Sequence, residues 1–143
     1  MTKPALNEDL RIPKIPVSEM IARERAATFA LAMGFGTDQI EDIKTAVSEA
    51  SLNAIEHAKS DDSTDAVLIQ FRVHPDSLGV SVSSKGMQFV PSETKPDIKD
   101  KIEGRDRPRG WGVYLIRKLA DEVEFTNEYG VTTVRMRFLL QKQ

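Results

Sequence analysis

Glu49, Asn53 and His57 follow one another at four-residue intervals in the stretch from Ile40 to Ala58. Read as a helix, that interval stacks the three side chains in one line. The line runs beside an apolar stripe of Ile40, Ile43, Val47, Ala50 and Ala54, whose three- and four-residue spacing marks a buried helix face. A carboxylate, an amide and an imidazole on the border of a buried face are costly unless something uses them. The plain alternative is the solvated flank of a core helix, and spacing does not decide between the two. A second candidate lies at Arg109-Gly110-Trp111-Gly112, ahead of another apolar-periodic run. Glycines at a helix start let backbone N–H groups approach an anion, with the helix dipole helping. They also simply make turns. An amide and a carboxylate opposite a phosphate cradle would suit Mg²⁺, which prefers a few oxygen ligands plus substrate phosphates.

The elements that must hold these residues can be read in order. Met1 to Asp9 reads as a loose tail, and 10–143 as a single domain. Leu10 to Ile15 reads as a short edge strand, because Pro13 and Pro16 forbid a central one. Val17 to Met33 is a first helix with Ala22, Ala26, Phe29, Ala30 and Met33 inward and Ser18 or a neighbour as N-cap. Gly34 and Gly36 end it, and Thr37 and Asp38 offer capping and favourable charge to the second helix. Val67, Ile69, Phe71 and Val73 alternate as a strand; after the turn at His74-Pro75-Asp76-Ser77, Leu78, Val80 and Val82 alternate again. Val90 to Arg109 carries three prolines, many charges and little periodicity. A loop that long inside one domain is more often a lid or binding loop than filler. A third helix runs to Ala120 with Val113, Ile116, Leu119 and Ala120 inward. Val123 and Phe125 mark a strand, Glu128-Tyr129-Gly130 a turn, and Val134, Met136 and Phe138 a last strand with Arg135 and Arg137 on its other face. Two helices followed by hairpins predict an α+β, two-layer sandwich, with helices on one face of a mixed, mostly antiparallel sheet.

Composition narrows the function. The 143 residues are 40% hydrophobic and 29% charged, which describes one soluble domain. A net charge of −2 and a pI near 5.7 argue against general nucleic-acid binding. No cysteine is present, and two histidines, His57 and His74, leave little room for a histidine-based metal cluster. No apolar run is long enough for a membrane span and no signal peptide is apparent, so the cytoplasm is the expected compartment.

Three segments, in order, carry a resemblance. Thr45 to Ala58 (TAVSEASLNAIEHA), Ser81 to Phe89 (SVSSKGMQF) and Arg109 to Phe125 (RGWGVYLIRKLADEVEF) resemble the N-box, G1 box and G2 box of the GHKL, or Bergerat-fold, ATPases. The most similar branch is the bacterial anti-sigma factors that are also serine-protein kinases, and the likeness runs from about Ser18 to Phe138. The resemblance implies that Glu49 is the catalytic carboxylate, that Asn53 holds Mg²⁺ and that His57 supports the phosphate region. It implies that Arg109, Gly110 and Gly112 close the lid over the phosphates of ATP, and that Thr133 lies near the adenine. Glu19 and Arg23 match an E-x-x-A-R pattern that faces sigma and anti-anti-sigma partners in that branch; as residues alone they also read as an exposed helix pair.

The G1 box departs from the family pattern. Ser84 stands where the family has the aspartate that accepts the adenine amino proton; Gly86 is kept, and Gln88 replaces the second glycine. Ser84 is short and neutral and would reach adenine only through a water. Lys85 and the lid cations Lys99, Lys101, Arg105 and Arg107 could attract phosphate, or form a solvated charged loop. The expectation is an anti-sigma factor and serine-protein kinase that binds an RNA polymerase sigma factor and phosphorylates a STAS-fold anti-anti-sigma protein with Mg·ATP, as a homodimer. The alternative is a non-catalytic partner-binding module with a degenerate nucleotide site. A sensor-kinase core is a third reading, opposed by the absence of a phosphoacceptor-histidine helix.

Overall fold

Alternating apolar residues build the sheet, and a 3.6-residue period builds the layer that covers it. In the computed structural model the described residues are 7–57, 66–85 and 111–141. They form β1 (Asn7–Pro13), a 3-10 turn (Pro16–Ser18), α1 (Glu19–Met33), α2 (Thr37–His57), β2 (Ala66–His74), β3 (Ser77–Lys85), α3 (Trp111–Leu119), β4 (Glu122–Glu128) and β5 (Val131–Leu139). The sheet order is β1-β2-β3-β5-β4. Every pairing among these strands is antiparallel, so the expected parallel component of a mixed sheet does not occur among the described residues. Otherwise the α+β sandwich and its element order are as the sequence predicts.

One face of the sheet is apolar and faces the helices. Ile12, Val67, Ile69, Phe71, Leu78, Val80, Val82, Val134, Met136 and Phe138 are buried there in one cluster with Ala22, Ala26 and Phe29 of α1, Ile43, Val47 and Ala50 of α2, and Ile116 of α3. The Phe29 and Phe71 rings stack with centroids 4.9 Å apart, joining α1 to the middle of the sheet. The other face is polar, and neighbouring strands are tied across it by charge. Arg72 meets Asp9 at 3.1 Å, Arg135 meets Glu124 at 3.5 Å, and Arg137 meets Glu122 at 2.9 Å. Hydrogen bonding to Glu122, followed by its charge, raises the Arg137 pKa further above its ordinary value.

Three boundaries differ from expectation for local reasons. The edge strand starts at Asn7 rather than Leu10 and ends at Pro13, so the expected tail gives its last three residues to the sheet. Glu8 turns to the helix side and pairs with Arg25 of α1, which anchors that end of the strand. Ser18 occupies the N-cap of α1 but makes no side-chain cap, because the 3-10 turn already leads into the helix. Thr37 is the first residue of α2 rather than its cap; the Gly36 carbonyl accepts the Ile40 N–H. Gly34 closes α1 in the left-handed region at φ 93°, its N–H directed at the Ala30 and Leu31 carbonyls. The β4–β5 turn places both Tyr129 (φ 54°) and Gly130 (φ 75°) in that region, which matches the right-handed twist of a hairpin.

Candidate functional site

Helix α2 carries the chemistry because its apolar stripe fixes its rotation on the sheet. Ile43, Val47, Ala50 and Ala54 are buried, and that leaves Glu49 and Asn53 half-buried along one border. They open onto two different spaces. Asn53 lines a cavity of about 30 Å³ between α2, α3 and the sheet, whose other walls include Ala50, Ser84, Ile116, Phe125 and Thr132. Glu49, one turn earlier, lines a crevice of about 220 Å³ between α1 and α2, with Arg23, Glu24, Lys44 and Ser48. Glu49 and Asn53 of the expected line therefore sit between a small, mostly apolar cavity and a charged crevice. His57 is the last residue of α2, and its side chain lies outside the described residues.

On the sheet side, Ser84 is buried near the end of β3, facing the cavity. Its cross-strand partner on β5 is Thr132, which is buried and lines the same cavity. Thr133, the residue assigned to the base from sequence, stands on the opposite face. There its hydroxyl lies 2.9 Å from that of Ser83, its own cross-strand partner. Successive strand residues point to opposite faces, so a one-residue difference decides which threonine can touch a ligand. Thr132 is the cavity threonine.

Glu19 and Arg23 do not form a freely exposed pair. The Ser48 hydroxyl donates to Glu19 at 2.6 Å, linking α2 to α1, while Arg23 approaches the same carboxylate at 3.6 Å. Glu19 keeps only 13% of its side-chain exposure. Arg23 retains 32%, yet its Nε is buried without a hydrogen bond, and Glu24 is 3.8 Å away. The fold thus brings the expected partner residue Arg23 and the expected catalytic residue Glu49 to one crevice.

Gly112 is buried as the second residue of α3. Gly86, Arg109 and Gly110, with the lid from Val90 to Arg109, lie outside the described residues. Ser48 and Thr132 were missed in sequence. Ser48 sits beside Glu49 without a motif of its own, and Thr132 is adjacent to the threonine that the resemblance selected. No group of three or more His, Cys, Asp or Glu that could hold a metal occurs among the described residues. None of their helices is long and apolar enough to cross a membrane.

Residues 16–138 match the family model described as "Histidine kinase-like ATPase domain". The chain is 30% identical over 139 residues to the "Serine-protein kinase RsbW" of Oceanobacillus iheyensis, covering 94% of this chain and 88% of that protein. It is 34% identical over 135 residues to the protein of the same name from Bacillus subtilis, covering 92% and 84%. Two solved structures share the fold. One, of the RsbU and RsbW domains of Rv1364c from Mycobacterium tuberculosis, aligns with a TM-score of 0.72 at 19% identity, over 98% of this chain and 34% of that one. The other, the SiaB–SiaC complex from Pseudomonas aeruginosa, aligns with a TM-score of 0.60 at 13% identity, over 92% of this chain and 89% of that one. The chain belongs to the histidine kinase-like ATPase domain family, in the branch that holds the RsbW serine-protein kinases.

Proposed function

We propose that this protein is a partner-switching serine-protein kinase. It binds a sigma factor and phosphorylates a serine on a STAS-type anti-anti-sigma protein with Mg·ATP. One observation carries the reading. Glu49 and Asn53 lie one turn apart on α2, between a small, mostly apolar cavity and a charged crevice, in a chain of the RsbW branch. In this reading the base of the nucleotide sits over the cavity, whose volume of about 30 Å³ holds a water rather than a purine, and the crevice takes the acceptor. The partner's serine oxygen attacks the γ-phosphorus, forming the new O–P bond as the bond to the β,γ-bridging oxygen breaks and ADP leaves. Glu49 accepts the hydroxyl proton. Asn53 would hold Mg²⁺ through its amide oxygen, and the ion would supply neutralisation of charge on the phosphates. The amide fits that role: Mg²⁺ in nucleotide sites takes most of its oxygens from phosphates and water. His57, Gly86, Arg109, Gly110 and Gly112 complete the phosphate region in this reading, and Arg23 meets the partner.

Self-association belongs to the same proposal. Ile15, Val17, Met20 and Ile21 are exposed apolar residues around the start of α1, near the free edge of β1. Such a patch beside an open strand edge suits a second copy of the chain.

A second reading keeps the partner surface without productive ATP binding, and the neutral Ser84 in the cavity favours it. Calorimetric titration with Mg·ATP and Mg·ADP separates the two. Saturable binding that disappears in Asn53→Ala supports the kinase; no binding at millimolar nucleotide would leave the binding module.

A further inference from the structure

The polar floor of the α2–sheet cavity is a pair of hydroxyls. Ser84 and Thr132 are direct cross-strand partners, 5% and 8% exposed, and both line the cavity. Around them the walls are Ala50, Ala54, Val82 and Val134, and no carboxylate lines the cavity among the described residues. Its volume of about 30 Å³ equals the share of one water in the liquid.

A group of fixed polarity can read a purine; a hydroxyl cannot. The two purine classes present opposite patterns on the edge that carries C6. A 6-amino base offers an N–H donor at C6 and an acceptor at N1. A 6-oxo base offers an acceptor at C6 and an N–H donor at N1. A carboxylate set against C6 only accepts, so it pairs with the amino group and is repelled by the oxo oxygen, whereas a serine hydroxyl donates or accepts according to its rotation. A bridging water has the same freedom. Strong rejection of an analogue needs a buried polar group left unpaired by the wrong ligand, and neither hydroxyl is left so by either base.

We propose that a water held on these two hydroxyls meets the C6 edge of a base seated over the cavity without discriminating there, and that the protein binds a 6-oxo purine nucleoside triphosphate with unsubstituted C2 as readily as ATP. The proposal rests on the nucleotide reading above and extends it to the substrate class.

The test is calorimetric titration of the full chain with Mg·ATP, Mg·ITP and Mg·GTP. ITP changes C6 and N1 without adding the 2-amino group, so the wild-type protein alone is informative. Dissociation constants for ATP and ITP within about threefold support the proposal, because less than one neutral hydrogen bond then separates them. Weak GTP binding beside tight ITP binding supports it too, placing the selectivity at C2. ITP binding about 30-fold or more weaker than ATP overturns it and leaves the nucleotide site intact. Absence of binding by all three overturns both this proposal and the nucleotide reading. In Ser84→Asp, a preference for ATP over ITP of about tenfold or more is the expected gain, the size of one charged hydrogen bond. An unchanged ratio in a folded Ser84→Asp protein overturns the assignment of Ser84 to the C6 edge.

Discussion

Asn53 and Glu49 share a helix face but have separable tasks, and substitutions divide them. Asn53→Ala removes the amide oxygen from the cavity side and is expected to abolish Mg·ATP binding. Glu49→Ala is expected to keep nucleotide binding and the fold while lowering phosphotransfer by about 10²- to 10⁴-fold, the usual worth of a positioned general base. A single-turnover assay with labelled ATP and the acceptor protein reads this directly; undiminished transfer would remove Glu49 from the mechanism. The two threonines make a matched pair of controls. Thr132→Val strips a hydroxyl from the cavity wall and should weaken ATP binding by about 1 kcal/mol, roughly fivefold. Thr133→Val alters only the outer face, where it loses its bond to Ser83, and should leave ATP affinity unchanged. The line on α2 was legible in sequence because the helical period fixes rotation once an apolar stripe exists. The choice between adjacent threonines was not, because on a strand it depends on a register that no local pattern in a TT pair reveals.

At the scale of elements, α1 and α2 are joined by more than apolar packing. Ser48→Ala removes the donor to Glu19, leaving a half-buried carboxylate partly unpaired at a cost of about 1–3 kcal/mol. The urea midpoint should fall with an unchanged m-value. Glu19→Gln, which keeps an acceptor, should lose less. Both helices were readable from periodicity, but their clasp was not: it joins residues 29 positions apart. The β4–β5 hairpin offers the opposite case, a local strain that can be relieved. Tyr129 adopts a positive φ while fully exposed, so its side chain contributes no packing there. Tyr129→Asn produces the Asn-Gly pair that such turns prefer and should stabilise the protein by about 0.5–1 kcal/mol, visible as a higher Tm. The turn itself was evident from Glu128-Tyr129-Gly130. The true start of β1 was hidden because Asn7, Glu8 and Asp9 look like a polar tail until Arg25 and Arg72 are in place to meet them.

For the molecule as a whole, α1 has apolar residues on both sides. Ala22, Ala26, Phe29 and Ala30 are buried, whereas Met20, Ile21 and Leu31 are exposed. Replacing Met20 and Ile21 with Glu should shift sedimentation from dimer to monomer while leaving the circular dichroism spectrum unchanged. An unaltered sedimentation coefficient would place any dimer contact elsewhere. The sandwich architecture followed from element order, since two helices and two hairpins have few ways to bury one apolar face each. The fully antiparallel sheet did not, because the place of β5 between β3 and β4 is set by long-range pairing.

That strand order also governs how the chain assembles as it is made. The sheet's first strand pairs in register from Asn7 with Arg72 to Pro13 with Ala66, across both long helices. As synthesis proceeds from the N-terminus, β1, α1 and α2 are complete before a second strand exists for β1 to join or for the helices to cover. The stripes of Ala26, Phe29, Ile43 and Val47 therefore wait in water until β2 and β3 arrive. Pairing over such separations closes large loops before it yields contacts, which slows folding and prolongs exposure of apolar surface. The growing chain is thus most vulnerable to aggregation between the completion of α2 and the closing of the β2–β3 hairpin, the interval in which a chaperone would have most to hold.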